Sequence, residues 1–355
     1  MTTKLECQLT IRSNLVHLQQ LYTGLSILRR QKRITLGFGA ADPLASVPQS
    51  TTLHPSVISL YVNGKVVVFD VADAAGLNPE MLSAADLYFK RSYDAAVVET
   101  SGALAKVRPY GLNYWVLPNF VDGFGLRRAL ALYRGKRLVR QIAPTLDVGN
   151  RLHYSPRLRD LQASPMPKQE PKILFLARTW DPDKSHFQIT EARQADRREI
   201  NDMRAACVRA LRKRFGGRFT GGLAPTAHAR AQYPDCVVGE AGVTEKKHYL
   251  NMVKRHSICV STTGLQGSVG WKFGEYVALS RAIVSEPLGS KVPGKFGQDR
   301  NFLEFETVDQ CVEQVGILMD SAEKRAKLMQ ANYDYYQVAL RPDQLVLNCL
   351  QQVLS

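Results

Sequence analysis

One stretch constrains this chain more than any other: Tyr249 to Leu288, YLNMVKRHSICVSTTGLQGSVGWKFGEYVALSRAIVSEPL. A basic amphipathic segment leads into a short apolar strand, Ser257 to Val260. The strand opens into a loop, Ser261 to Gly270, that carries three glycines and four hydroxyl residues. A helix over about Trp271 to Leu279 follows, on which Lys272 and Glu275 stand one turn apart and so can face a common ligand. A second apolar strand, Ala282 to Val284, closes the unit. Strand, glycine-rich loop, helix and strand is the arrangement in which a parallel sheet turns backbone N–H groups and a helix N-terminus toward an anion, above all a phosphate. The plain alternative is that Lys272 and Glu275 form an ordinary surface pair.

The rest of the second half repeats the alternation. KILFLA, from Lys172, reads as a fully apolar strand ending in a polar loop that carries Arg178 and Lys184. Ile200, Met203, Cys207, Leu211 and Phe215 recur every three to four residues and mark a long helix. Seven arginines or lysines from Arg193 to Lys213 have the spacing of a solvated helix face. GGRFTGGLAP follows as a strand between glycine turns, and Thr244 to Met252 has a capping residue and helical character. Beyond the opening stretch come a loop, a short strand FLEF, a helix over about Val308 to Asp320, and a terminal helical region interrupted at Pro342.

In the first half, Leu15, Leu18, Leu21, Leu25 and Leu28 line one face of a helix from Ile11 to Arg30. A strand from Ile34 breaks at Gly37 and Gly39, and Asn63-Gly64 between two β-branched runs marks a hairpin. A short helix from about Pro79 precedes LYFKRSYD, read as a strand with Lys90 and Arg91 at its end. Asp70, Asp73, Asp86 and Asp94 fall at or just past strand ends, where open α/β sheets place their ligand crevice. Each is either a general base or a solvated loop carboxylate. Tyr110, Tyr114 and Trp115 either stack on sugar rings or fill the core. After a basic helix from about Leu126 the periodicity fades, and proline, serine and charge place a linker at about 155 to 170. The expected division is an α/β domain over 1–160, a Rossmann-like domain over 161–335, and a C-terminal helix over 336–355 that packs back on the first domain.

At 355 residues the chain suits two domains. Its net charge of +15 calls for anionic partners, whether nucleic acid, an acidic membrane surface or phosphate-bearing small molecules. No RRM, helix-turn-helix or zinc-finger signature favours nucleic acid. Neither domain opens on GxGxxG, which argues against a nicotinamide dehydrogenase. The six cysteines are scattered without metal-binding spacing, so buried free thiols are expected. No apolar run approaches the roughly 18 to 20 residues of a membrane span, and the N-terminus has no signal-peptide core, so a cytoplasmic location is expected.

ILFLARTWDPDKS, then YLNMVKRHSICVSTTGLQGSVGWKFGEYVALSRAIVSEPL, then NFLEFETVDQCVEQVGILMD together resemble the donor-binding half of GT-B-fold glycosyltransferases, of both the group-one and the exostosin-like type. The resemblance covers about 150 residues of the chain. It implies an α/β protein of two Rossmann-like domains with a cleft between them, and an acceptor site in the first domain. It implies that Arg178 and Lys184 hold the donor diphosphate, although Ala177 replaces the usual glycine, and that Glu275 lies near the donor ribose. The group-one pattern has a glutamate where this chain has Gly267, which leaves retention or inversion unassigned. The exostosin-like pattern is similar to Gly264, Ser268, Lys272 and Glu275, with lysine where arginine is usual, and Thr263 joins this donor-binding set.

The implied activity is transfer of a sugar from a nucleotide-sugar to a hydroxyl of a glycan or lipid-linked acceptor, in surface polysaccharide or glycoconjugate synthesis. Asp73 would serve as the base if the enzyme inverts. The resemblance implies no metal and no other cofactor, since GT-B enzymes characteristically need no bound metal, and Asp181-Pro182-Asp183, though it has the spelling of a DxD motif, has an unsuitable proline and position. A basic face docking on an anionic inner membrane leaflet would account for the charge, and no nucleic-acid partner is expected. The competing reading is a basic nucleic-acid-binding or non-catalytic interaction protein.

Overall fold

The computed structural model describes residues 5–39, 55–151, 154–166, 169–184, 189–239 and 245–354. They divide into two compact units. One holds the described residues up to Leu161 together with Ser290–Gly294 and the chain from Gln337 onward; the other holds Gln162–Gly289 and Lys295–Tyr336.

The first unit is built on β1 (Leu5–Leu9), α1 (Gln19–Arg30), β2 (Ile34–Phe38), β3 (Val57–Val62), β4 (Lys65–Asp70), α2 (Pro79–Ala84), β5 (Leu87–Lys90), α3 (Ala95–Thr100), β6 (Val107–Pro109), α4 (Gly123–Leu132) and α5 (Gly135–Leu146). The strands form one sheet in the order β2-β1-β3-β4-β5-β6. β1 pairs β2 in parallel, and β4, β5 and β6 run parallel, whereas β3 is antiparallel to both its neighbours. β1 is a strand that sequence periodicity did not reveal; over five residues Leu5, Cys7 and Leu9 are buried while Glu6 and Gln8 are exposed. It displaces the segment from Ile34 to the sheet edge. The expected helix from Ile11 starts only at Gln19, after a 3-10 turn at Val16–Leu18. The preceding chain is held extended by the Tyr22 hydroxyl, which donates to the Ser13 carbonyl at 2.6 Å. The hairpin forms at Asn63-Gly64, where both residues take the positive φ (50° and 83°) that a two-residue hairpin turn requires. Tyr110 and Tyr114 are fully buried and belong to the core.

The second unit follows with β7 (Ile173–Ala177), α6 (Glu191–Phe215), β8 (Phe219–Leu223), α7 (Ala227–Gln232), α8 (Lys246–Arg255), β9 (Ile258–Ser261), α9 (Trp271–Ala278), β10 (Ala282–Ser285), β11 (Leu303–Glu304), α10 (Val308–Asp320) and α11 (Ala322–Tyr335). Its five strands are all parallel, in the order β11-β10-β9-β7-β8. β7, β9 and β10 are buried along their whole length, the pattern of a parallel sheet covered on both faces. β8 reaches β7 only because Gly221 has no side chain; a Cβ there would lie 2.0 Å from the Phe175 carbonyl oxygen. Thr244, the expected cap of α8, lies outside the described residues. All six cysteines are buried free thiols.

Past a π-helical turn at Tyr336–Leu340, α12 (Pro342–Gln351) lies against α1 in the first unit. The two approach closely at Gly24, where a Cβ would meet the Pro342 carbonyl oxygen at 2.2 Å. The chain therefore has the α/β architecture of two Rossmann-like domains, the first with a mixed sheet and the second wholly parallel.

Candidate functional site

In the second sheet β7 has β8 on one side and β9 on the other, so the winding reverses between β7 and β9. Open α/β sheets take ligands outside the carboxyl ends of their strands at such a reversal. The side chains gathered there come from the loop after β7, the loop after β9, and helices α6 and α9.

Arg178 follows β7 directly and is exposed, its guanidinium 4.5 Å from the centroid of the Trp180 ring. Its carbonyl accepts from Arg204 Nη1 at 2.6 Å. Arg204 also donates to Thr262 Oγ1 at 2.9 Å and to the Thr263 carbonyl at 2.7 Å, so one side chain from α6 joins the β7 and β9 loops. Burial pushes its pKa down to about 10, opposed by Glu286 and reinforced by Arg178. The expectation of a solvated basic face fails at this residue, which is buried. The signal was in the register: Arg204 lies four residues after Ile200 and three before Cys207, on the helix's buried side.

Lys272, in the first turn of α9, donates Nζ to the Leu176 carbonyl and lies 5.3 Å from the centroid of the Tyr249 ring. Burial lowers its pKa to about 7; Arg204, Lys246 and Arg178 add to the effect and Glu275 opposes it. Glu275 does not share an open face with Lys272. Its side chain is fully buried, one oxygen pairs with Lys246 of α8, and the other has no hydrogen-bond partner among the described residues. The surface-pair alternative fails as well, since Lys272 and Glu275 find different partners.

The loop after β9 is closed on itself more than an open amide cradle would be. Thr263 donates both its amide and its hydroxyl to Glu286 Oε2, at 2.6 and 2.9 Å. The Gly264 amide bonds the Ser268 carbonyl at 2.8 Å, and the Ser268 amide bonds the Leu265 carbonyl at 3.2 Å. A Cβ at Gly264 would meet Ser268 Oγ at 2.7 Å, so a side chain there would have to turn the serine hydroxyl aside. Capacity for an anion therefore lies with the cations. Lys184 is exposed beyond Arg178, and its carbonyl accepts from Arg197 at 3.0 Å. Asp183 is held by Gln194 and by its own amide's bond to Asp181. Among the described residues no group of three or more His, Cys, Asp or Glu could hold a metal ion.

In the first unit, Asp70 is buried against Lys90 at 2.8 Å and the Tyr88 hydroxyl at 2.6 Å. Asp86 accepts the Val66 amide, and Asp94 caps α3. Asp73 stands in the loop after β4, paired with Arg91 and 59% exposed. Sequence spacing could not separate these four roles, because each depends on what lies across the sheet.

No family model matches the chain, and no curated protein matches it. Among solved structures it is similar to the C-terminal domain of a group 1 family glycosyl transferase, LpcC, from Francisella tularensis, 14% identical over 51% of this chain and 95% of that one, with a TM-score of 0.34. It is also similar to S. aureus MnaA in its co-structure with UDP, at 11% identity over 93% of this chain and 72% of that one, TM-score 0.39. A third similar structure is WaaG, a glycosyltransferase involved in lipopolysaccharide biosynthesis, at 10% identity over 76% and 75%, TM-score 0.36. At these scores the likenesses carry no functional assignment.

Proposed function

We propose that the protein is a glycosyltransferase that moves a sugar from a nucleotide-sugar donor to a hydroxyl of a glycan or lipid-linked acceptor, in the synthesis of surface polysaccharide or another glycoconjugate. The observation that supports this most is the convergence of Arg178, Arg204 and Lys272 on the carboxyl ends of β7 and β9, where Arg204 donates to the Arg178 carbonyl and to the Thr263 carbonyl and Lys272 donates to the Leu176 carbonyl. In the proposed reaction the bond between the sugar's anomeric carbon and the diphosphate breaks, and negative charge grows on the departing oxygen. Fixed cations stabilise that charge without reorganising. Arg178 and Lys272 meet the phosphates, Lys184 adds charge at the rim, and Arg204 holds both loops in place.

Thr263, Gly264 and Ser268 shape the turn beside the donor, and Glu275 acts through Lys246 at the back of the site. The acceptor oxygen bonds to the anomeric carbon as its proton passes to a base. In an inverting reaction Asp73 is that base. The reading calls for no metal or other cofactor. Its second partner is an anionic membrane surface on the cytoplasmic side.

A thermal-shift screen with UDP, GDP, CMP, dTDP and their sugars tests the proposal. One nucleotide family should stabilise the protein selectively, and Arg178→Ala and Lys272→Ala should lose that response. No response to any nucleotide, together with salt-dependent binding to DNA or RNA, would replace this reading with that of a nucleic-acid-binding protein.

A further inference from the structure

From Gly123 to Leu146 the first unit carries six basic residues and no acidic one. Only Arg128 turns inward, its guanidinium carbon 3.8 Å from the Tyr22 ring centroid. Arg127, Arg134, Lys136, Arg137 and Arg140 are exposed. Helix α5 has no buried residue. Apolar side chains stand in the open beside these cations: Val139 is 67% exposed, and Leu146 of α5 and Leu130 of α4 are each 53% exposed. At about 100° per residue, Leu138, Ile142, Leu146 and Val139 fall on one side of α5 and Lys136, Arg137 and Arg140 on the other.

A bare aliphatic face backed by a cationic one, with no carboxylate among them, has the composition of a helix that lies in a lipid interface. A nucleic-acid backbone would use the cations but leave Leu130, Val139 and Leu146 in water, so the aliphatic residues decide between the two surfaces. We propose that the α4–α5 pair is a docking surface for an anionic lipid bilayer. The three aliphatic side chains enter the interface and the five exposed cations meet the headgroups. The inference deepens the membrane partner of the proposed transferase and rests on that part of the reading, but it needs no sugar transfer.

The test is co-sedimentation of the full chain with vesicles of phosphatidylcholine alone and of phosphatidylcholine containing phosphatidylglycerol. The protein should pellet with the anionic vesicles and stay in solution with the neutral ones. Lys136→Gln/Arg137→Gln/Arg140→Gln should weaken binding by about a hundredfold at low salt. Val139→Asn/Leu146→Asn should weaken it at unchanged charge. No binding to anionic vesicles, equal binding to both vesicle types, or undiminished binding by either variant would overturn the proposal. So would duplex-DNA binding as strong as vesicle binding that the aliphatic variant retains. The nucleotide thermal shift, run on the same variants, shows that they are folded and scores the donor site separately. A parent protein that binds vesicles but responds to no nucleotide removes the transfer reading and leaves the docking surface standing.

Discussion

Glu286 takes both polar groups of Thr263 on a single carboxylate oxygen, the amide at 2.6 Å and the hydroxyl at 2.9 Å. The acid stands just past β10, next to the strand whose loop it holds. From α6, Arg204 grips the same turn through Thr262 Oγ1 and the Thr263 carbonyl. Glu286 also supports the charge on Arg204 against burial. The turn is thus fixed between an acid and a base that come from different elements, which sets it before any ligand arrives.

Arg204→Met removes the donor to three acceptors, two of them carbonyls that join the β7 and β9 loops. Hydrogen bonds from a charged group to such sites contribute roughly 1.5–3 kcal/mol each, and their loss is not additive, so a cost of about 2–4 kcal/mol is expected. Glu286→Gln keeps the shape and should cost about 1 kcal/mol. Denaturant unfolding measures both. An Arg204→Met protein as stable as the parent would mean that the loops are held by something else.

Lys272 makes the site pH-dependent, with a definite sign. Burial brings its pKa to about 7 in the folded protein, against the ordinary lysine value of 10.5 in the unfolded chain. Between these values the unfolded chain binds the extra proton, so stability rises with pH across that window; below about 7 the penalty of burying the charge is felt in full. A diphosphate favours the protonated lysine. Its affinity should therefore fall as pH rises through about 7, and binding at pH 8 should take up a proton. Calorimetry in two buffers of different ionisation enthalpy reads the uptake, which Lys272→Arg should abolish. Binding at pH 8 without proton uptake would show that Lys272 does not meet the phosphate.

The features legible in the sequence were those set by neighbours in the chain. Asn63-Gly64 makes its own turn, and a strand-end arginine such as Arg178 is placed by the strand before it. The burial of Arg204 could be read from its register, but what it and Glu286 hold could not, because their partners lie 58 and 23 residues away across the sheet. Spacing puts Glu275 one turn from Lys272, but it cannot show that α8 brings Lys246 over the carboxylate and seals it from water. β1 was hidden for a different reason: five residues give too few alternations to stand out beside Gln8 and Glu6.

Two neighbouring aspartates should separate function from folding. Asp73→Ala removes the exposed partner of Arg91, whose own side chain is 5% exposed, so the cost should lie between the about 0–1 kcal/mol of a surface pair and the about 3–5 kcal/mol of a stranded buried charge. If Asp73 is the base, turnover should fall by about a hundred- to ten-thousandfold. Asp70→Asn instead leaves Lys90 buried without its counter-charge, at a cost of about 3–5 kcal/mol. Single-turnover rates and unfolding curves on both variants distinguish the roles, and unchanged turnover in Asp73→Ala would remove it from the mechanism.

The Lys246–Glu275 pair divides structure from donor binding in the same way. The carboxylate is fully buried, and one oxygen has Lys246 as its partner while the other has none among the described residues. Lys246→Met strands a buried charge and should cost about 3 kcal/mol, since removing one member of such a pair leaves the other uncompensated. Glu275→Gln on that background removes the stranded charge and should recover much of the loss, giving a coupling energy well outside additivity. If Glu275 acts only through the fold, nucleotide affinity in the double variant returns with its stability. If affinity stays low after stability has recovered, the Glu275 carboxylate itself bears on the donor, and a rearrangement must then bring it out from beneath Lys246.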